Sequence, residues 1–492
     1  MNGSTQFKQA TWPQMLMAAA MSIAVNIYIS YTGYINYYLT GVVGFSVVVA
    51  GSFVTVFRIW DAVTDVGMGM VVDRTNTRLG KFRPFMIAGG IGSFVSSHAL
   101  IYLPPMISEG MLRKAAFILI YLLFVLMTTM QACALRASAQ VLTNDPKQRA
   151  TMGMLNGIAL TLLYSGMPIL VFSHIMPMTR GFNLEFFTTL LRYTSIISLV
   201  CIIMAILSFG RHDVKRSDNE AQPASSFNIK EALSVLVNNK QLLMLVLSAR
   251  TDKLATTLQG NATIVVIIFA IVAGNSQLSS AANAYTMWPS VIMILLGVGA
   301  LGRRFGAKRS LVVSSWGGLA VCVLSILLWI FGNPHSLAFP DYEGFHGWTF
   351  FTIAYLVLWC AMKGFGMVAS NSLNPMLADV IDYEEYRGGK YLPGIIGALF
   401  NLADKIISSL GSTVIALLCA MIGFTSELPT VDTPYSVPLF AIGLLGMYGL
   451  SVIGLIINLI CLRFYHLTPE KMAEICGTLA ERKALGADRS SC

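Results

Sequence analysis

The chain alternates long apolar runs with short polar stretches. Runs near the ~20 residues needed to cross the hydrocarbon of a bilayer fall at about 14–40, 46–70, 84–104, 115–140, 151–173, 186–209, 240–272, 281–301, 310–332, 348–372, 394–424 and 436–462. Twelve such runs predict an all-α polytopic membrane protein. The longest polar interruption, "GRHDVKRSDNEAQPASSFNIKEALSVLVNN" at 210–239, splits the helices six and six. The expected organisation is an N-terminal six-helix bundle over 1–209, a cytoplasmic linker over 210–239, a C-terminal six-helix bundle over 240–464 and a cytoplasmic tail over 465–492.

Composition agrees with the membrane reading. Only 12% of the 492 residues are charged and 55% are hydrophobic, whereas soluble domains carry about 25% charged residues. The net charge of +9 raises the question of a nucleic-acid partner, but its placement answers it. With both termini inside, 23 Lys and Arg fall on the inner side and only Arg113, Lys114 and Arg180 in outer loops. This is the positive-inside asymmetry of a plasma- or inner-membrane protein. No nucleic acid is implied, and no cleavable leader is evident in the amphipathic start "MNGSTQFKQATWPQ". Six of the eight cysteines lie in predicted spans and none in an outer loop, so no disulfide framework is expected.

The halves echo one another. "GMVVDRTNTRLGKFRP" (69–84) follows the second helix and "GALGRRFGAKRS" (299–310) the eighth, both short, basic and punctuated by glycine. Two six-helix halves joined by a long inner loop describe the parallel repeat of the major facilitator fold. At finer grain, "RIWDAVTDVGMGMVVDRTNTRLGKFRPF" and "NPMLADVIDYEEYRGGKYLPGIIGALFNLADK" resemble the two signature regions of the glycoside–pentoside–hexuronide:cation symporters, the melibiose permease family. The resemblance implies secondary active symport of a sugar or glycoside with Na⁺ or H⁺ by alternating access. The implied partners are a small-molecule substrate, a coupling cation and the bilayer, with no cofactor and a monomeric carrier.

Charges inside apolar helices are costly and mark function by default. Arg58, Asp61 and Asp65 share one helix face. Two carboxylates one turn apart in low dielectric repel, which favours a proton or a metal cation between them. The resemblance places the family's cation-site acids on Asp61 and Asp65, the expected Na⁺ ligands, with Thr64 at the position of an amide and Arg58 holding Asp61. Elsewhere the family pattern is missing. The helix-1 acid aligns near Val25–Asn26, the helix-4 acid falls at Ala132, the tryptophan after it at Arg136, and the helix-5 arginine has no match in "MGMLNGIAL". Helix 11 keeps its lysine as Lys405, beside Asp404.

Other charges appear instead: Arg250, Asp252 and Lys253 in "LLMLVLSARTDKLATTLQGN", and Lys363 in "WCAMKGFG". Six positive against four negative mid-span charges leave an excess of two, and an anionic substrate is the least costly partner for it. Expected substrate ligands are therefore Arg136, Arg250, Asp252, Lys253, Lys363 and Lys405 for an acidic sugar (a hexuronate, glucuronide or sulfonated sugar). Asn26 and Tyr34 of the tyrosine-rich first helix would meet sugar hydroxyls, and Trp288 and Trp359 are further aromatic candidates. An inner gate is expected between Asp73, Arg74 and Arg83 after helix 2 and Asp379, Asp382, Glu385 and Arg387 after helix 10. The competing readings are symport of a neutral glycoside and cation-coupled carriage of a lysolipid or another amphiphilic anion. An enzyme is not expected: the six histidines form no metal-ligand spacing and no GxSxG is present.

Overall fold

A computed structural model describes residues 10–209 apart from 76, 81 and 144, then 234, 236–339, 348–388 and 393–490. Most of the 210–239 linker lies outside the described residues. Twelve long helices follow the expected runs: α1 (Trp12–Thr32), α2 (Val47–Arg74), α3 (Arg83–Met106), α4 (Met111–Leu142), α5 (Pro146–Ile169), α6 (Leu184–Phe209), α7 (Lys240–Gln259), α8 (Gln277–Phe305), α9 (Ala307–Phe331), α10 (Phe350–Gly388), α11 (Pro393–Met421) and α12 (Val437–Phe464). A further helix, α13 (Pro469–Ser490), forms the tail. No β-strand occurs among the described residues. Ten of these helices are long and apolar enough to cross a membrane, and α7 joins them as a bent span with Ala262–Val272.

Three departures from the expected spans have local causes. The seventh run is broken at Gly260–Asn261, where Asn261 caps the next turn by accepting the Thr263 amide at 2.9 Å, and the two pieces meet at 54°. The first run breaks similarly at Gly33–Tyr34, and each break leads into a π-helical turn, Leu39–Val43 and Val266–Val272. Matching breaks after the first helix of each half fit a repeated architecture. Finally, "ADVIDYEEYRG", expected as a loop, continues α10 to Gly388. Its inward face carries Val380, which packs with Met376, Tyr465 and Ile475 into a core that the tail helix completes.

The halves share one apolar core at the end that carries the turns after α1 and α11. There Tyr37, Tyr38 and Val47 of the first half pack in one cluster with Leu258, Leu428 and Leu439 of the second. The Tyr37 hydroxyl donates to the Pro429 carbonyl at 2.8 Å, and the Val47 amide to the Thr425 carbonyl at 3.0 Å. At the opposite end each half keeps its own core, around Met21, Met86 and Ile202 in one and Leu245, Val380 and Tyr465 in the other. The principal packings that cross between the halves are α2 on α11 and α5 on α8. The closed end is therefore the one that carries the turns after α1 and α11, and at the end with the basic loops the described residues of the two halves form separate cores.

Candidate functional site

The α2–α11 seam builds the site. The helices run antiparallel and approach closely because small residues face each other. A Cβ on Gly51 would stand 2.5 Å from the Ala416 Cβ and 2.9 Å from the Ser412 carbonyl oxygen. One turn on, the Thr55 and Thr413 hydroxyls lie 2.8 Å apart, and Thr413 donates to the Gly51 carbonyl at 3.1 Å. Continued along the seam, this register sets Lys405 of α11 over Asp61 and Asp65 of α2.

The Lys405 ammonium bridges the two acids, with Nζ 2.8 Å from Asp61 Oδ2 and 2.7 Å from Asp65 Oδ2. It also lies 3.3 Å from the Asp61 carbonyl oxygen. Arg58 is more distant, its guanidinium 3.9 Å from Asp61 Oδ2. The other Asp61 oxygen lies 3.1 Å from the hydroxyl of Thr129 on α4, which also shares a 3.2 Å hydrogen bond with Thr64. Thr64 in turn reaches the Asp61 carbonyl at 3.0 Å. The structure thus brings together the three expected cation-site residues and adds Thr129 and Lys405. Carboxylate, hydroxyl and carbonyl oxygens are hard donors suited to Na⁺, and the carboxylates equally accept a proton.

The expected substrate residues do not converge on one place. Arg250, 5% exposed, hydrogen-bonds Asp404 and lays its guanidinium 3.8 Å from the centre of the Phe400 ring. It belongs to the packing between α7 and α11. Lys405 sits in the acid pair, and Lys253 is exposed. The Arg136 and Asp252 side chains lie outside the described residues. Lys363 of α10 is half-buried, with Nζ 3.4 Å from the Thr286 hydroxyl of α8 and 5.6 Å from the Trp359 ring. Arg58, Arg250 and Lys405 are met by Asp61, Asp404 and Asp65, so the excess of two anticipated at mid-depth falls on Arg136, Lys253 and Lys363 against Asp252.

In the first half Asn26 is held by two contacts: its amide donates to the Ser22 carbonyl at 2.9 Å and its oxygen accepts from Tyr164 of α5 at 3.1 Å. Ser22 hydrogen-bonds Asn156, also of α5. Tyr34 is not beside Asn26; it is buried in a stack with Phe172, Phe182 and Phe186 at the closed end. Tyr164 and Asn156 were not anticipated. The only signal for them was a lone amide and a lone phenol in an otherwise apolar run.

The described gate residues fall on α3 and on the extension of α10. Asp73 and Arg74 have side chains outside the described residues. Asp379, Asp382 and Glu385 lie on the extension of α10, and Arg387 there pairs with Glu384 at 3.1 Å. Glu384 also accepts from Asn239 at 2.6 Å, which ties the start of α7 to the end of α10 within one half. Arg83 begins α3 in the other half.

Two six-helix halves closed at one end, with a charged triad on the seam between them, define a major facilitator transporter rather than an enzyme. The chain belongs to the MFS/sugar transport protein family, whose model matches residues 14–469, and within it to the glycoside–pentoside–hexuronide:cation symporters. Among its relatives it is 24% identical over 459 residues to the glucuronide carrier protein homolog of Escherichia coli (strain K12), covering 91% of this chain and 90% of that one. It is 22% identical over 483 residues to the isoprimeverose transporter of Lactiplantibacillus pentosus, covering 97% and 94%. The fold is similar to that of the nucleoside transporter NupG, with a TM-score of 0.59 at 12% identity over 93% of this chain and 100% of that one.

Proposed function

We propose that the protein carries a sugar or glycoside bearing an acidic group across the cell membrane, coupled to Na⁺ or H⁺, by alternating access with both termini cytoplasmic. The observation that carries the coupling reading is the Lys405 ammonium seated between Asp61 and Asp65, 2.8 and 2.7 Å from their oxygens. A site shaped to hold one tethered cation between two carboxylates suits a free cation equally well. The two cannot occupy it together without strong repulsion. When the coupling cation takes the oxygens, Lys405 is released and the charged tie between α2 and α11 is lost, so occupancy is communicated to the seam on which the halves move. No cofactor beyond the coupling ion is proposed.

The acidic-substrate reading is supported by the charge balance that remains after the pairs are counted, two more cations than carboxylates with Lys363 among them, and by a relative named for glucuronide carriage. The orientation rests on the distribution of Lys and Arg, and it makes the end with the basic loops cytoplasmic. The test is uptake of a radiolabelled glucuronide into proteoliposomes under a Na⁺ gradient, a pH gradient or neither. Accumulation is expected with one gradient and not without it. Asp61→Asn and Asp65→Asn should each abolish accumulation in protein that remains folded and inserted. Accumulation by both variants would refute the assignment.

A further inference from the structure

Of the mid-span cations whose side chains are described, Arg58, Arg250 and Lys405 each have a carboxylate within ion-pair distance, and Lys253 is exposed. Lys363 differs from all of them, being half-buried with no carboxylate partner among the described residues. Its one hydrogen bond among the described residues is to Thr286, at 3.4 Å. The Thr286 proton is directed to the Ala282 carbonyl at 2.8 Å, so the hydroxyl presents a lone pair to the ammonium. An ammonium has three protons to donate, and this one meets a single neutral acceptor.

One helical turn away on the same face, Trp359 repeats the imbalance. Its indole Nε1–H is buried and has no acceptor. The ring is held in place by stacking on Tyr355, with centroids 5.9 Å apart and planes inclined by 19°. A half-buried ammonium and a buried indole N–H, side by side and both short of acceptors among the described residues, form a site with donors in excess. A ligand that donates as well as accepts, such as the hydroxyl edge of a neutral sugar, leaves that excess in place. A group that only accepts, and carries negative charge, removes it.

We propose that Lys363, Trp359 and Thr286 form the subsite for the carboxylate of the transported sugar, an inference that rests on the acidic-substrate reading above. The carboxylate sits at Lys363 Nζ and accepts from the Trp359 indole, and the flank of the indole offers an apolar face to the sugar ring. This places the anion in the second half, on α8 and α10, separate from the cation oxygens on α2 and α4. Substrate and coupling ion are therefore recognised on opposite sides of the seam. The assignment also narrows the wider set of bases expected from the sequence, because Arg250 and Lys405 are already neutralised within the protein.

The experiment compares binding of 4-nitrophenyl β-D-glucuronide and 4-nitrophenyl β-D-glucoside to the purified full-length protein in lipid nanodiscs; the two differ at the C6 carboxylate. The wild type should prefer the glucuronide. Lys363→Gln should weaken glucuronide binding by about tenfold to a hundredfold, the loss typical of a hydrogen bond to a charged group, and leave the glucoside unchanged. Lys363→Arg should keep most of the preference, and Trp359→Phe should lower it by about twofold to tenfold. The last two variants decide the matter if Lys363→Gln proves poorly folded. An undiminished preference in Lys363→Gln, or an undiminished preference in Trp359→Phe beside a loss in Lys363→Arg, overturns the subsite while the acidic reading stands. A wild type with no preference overturns both. Asp61→Asn, by contrast, should lose accumulation of either glycoside and keep the wild-type binding preference.

Discussion

Replacing Lys405 by Gln removes the charge from the acid pair and keeps a side chain of similar reach. Both Asp Oδ2 atoms lie within 2.8 Å of the one ammonium, so they stand no more than roughly 5.5 Å apart; at an effective dielectric of about 20, two unit charges at that distance repel by about 3 kcal/mol. In the wild type Lys405 offsets this repulsion. In the variant a cation from solution must do so, without a tethered competitor. Cation affinity should accordingly rise, by up to about a hundredfold for 3 kcal/mol. The measurement is isothermal titration of the detergent-purified protein with Na⁺, repeated as proton uptake with a pH-sensitive dye. Transport should change in the opposite sense, with exchange of substrate across the membrane retained and concentrative uptake reduced, because the carrier now releases its cation slowly. Cation binding that is unchanged or weaker in Lys405→Gln would refute the competition and make Lys405 a structural part of the site.

Three further outcomes are expected. Asp404→Asn leaves the Arg250 guanidinium buried without its counter-charge and should destabilise the protein by about 3–5 kcal/mol; thermal unfolding in detergent reads the loss, and Asp404→Leu combined with Arg250→Met should recover much of it. Gly51→Leu forces side-chain carbon into the Ala416–Ser412 contact and should hold the end bearing the turns after α1 and α11 apart, so that a cysteine placed at Tyr37 becomes reactive toward a membrane-impermeant maleimide; an unreactive cysteine would show that the seam adapts. Asn239→Ala removes both the cap on the Leu242 amide and the hydrogen bond to Glu384 and should cost about 1–3 kcal/mol, visible as faster hydrogen exchange over the first turn of α7.

The helices were legible because hydrophobic length is a local property, and the same holds for the shared face of Arg58, Asp61 and Asp65. Pairing across the seam was not. Lys405 stands 340 residues from Asp65, and no local pattern reports which helix a charge will meet. Asp404 and Lys405 illustrate the difficulty: adjacent on α11, they diverge by about 100° around the helix axis, so one serves α7 and the other α2. Counting mid-span charges gives an excess of two, but the count has no geometry in it; the pairs leave the excess unchanged and decide which cations carry it. Thr129 was not legible because the family pattern on helix 4 is an acid, which falls at Ala132, whereas this helix supplies a hydroxyl to Asp61. Tyr34 failed as a candidate because a helix periodicity was extended through Gly33, where the first helix ends.

The shared apolar core at the closed end has a kinetic consequence. Opening that end exposes tyrosine, leucine and valine surface to water, whereas at the basic-loop end the described residues of each half pack in a core of their own. The two orientations of an empty carrier are then unequal in free energy, and the population lies toward the one closed at the apolar end. Because thermodynamics fixes the ratio of Vmax to KM to be the same in both directions without a gradient, that inequality must surface as asymmetry: a high KM with a high Vmax on one face, and a low KM with a low Vmax on the other.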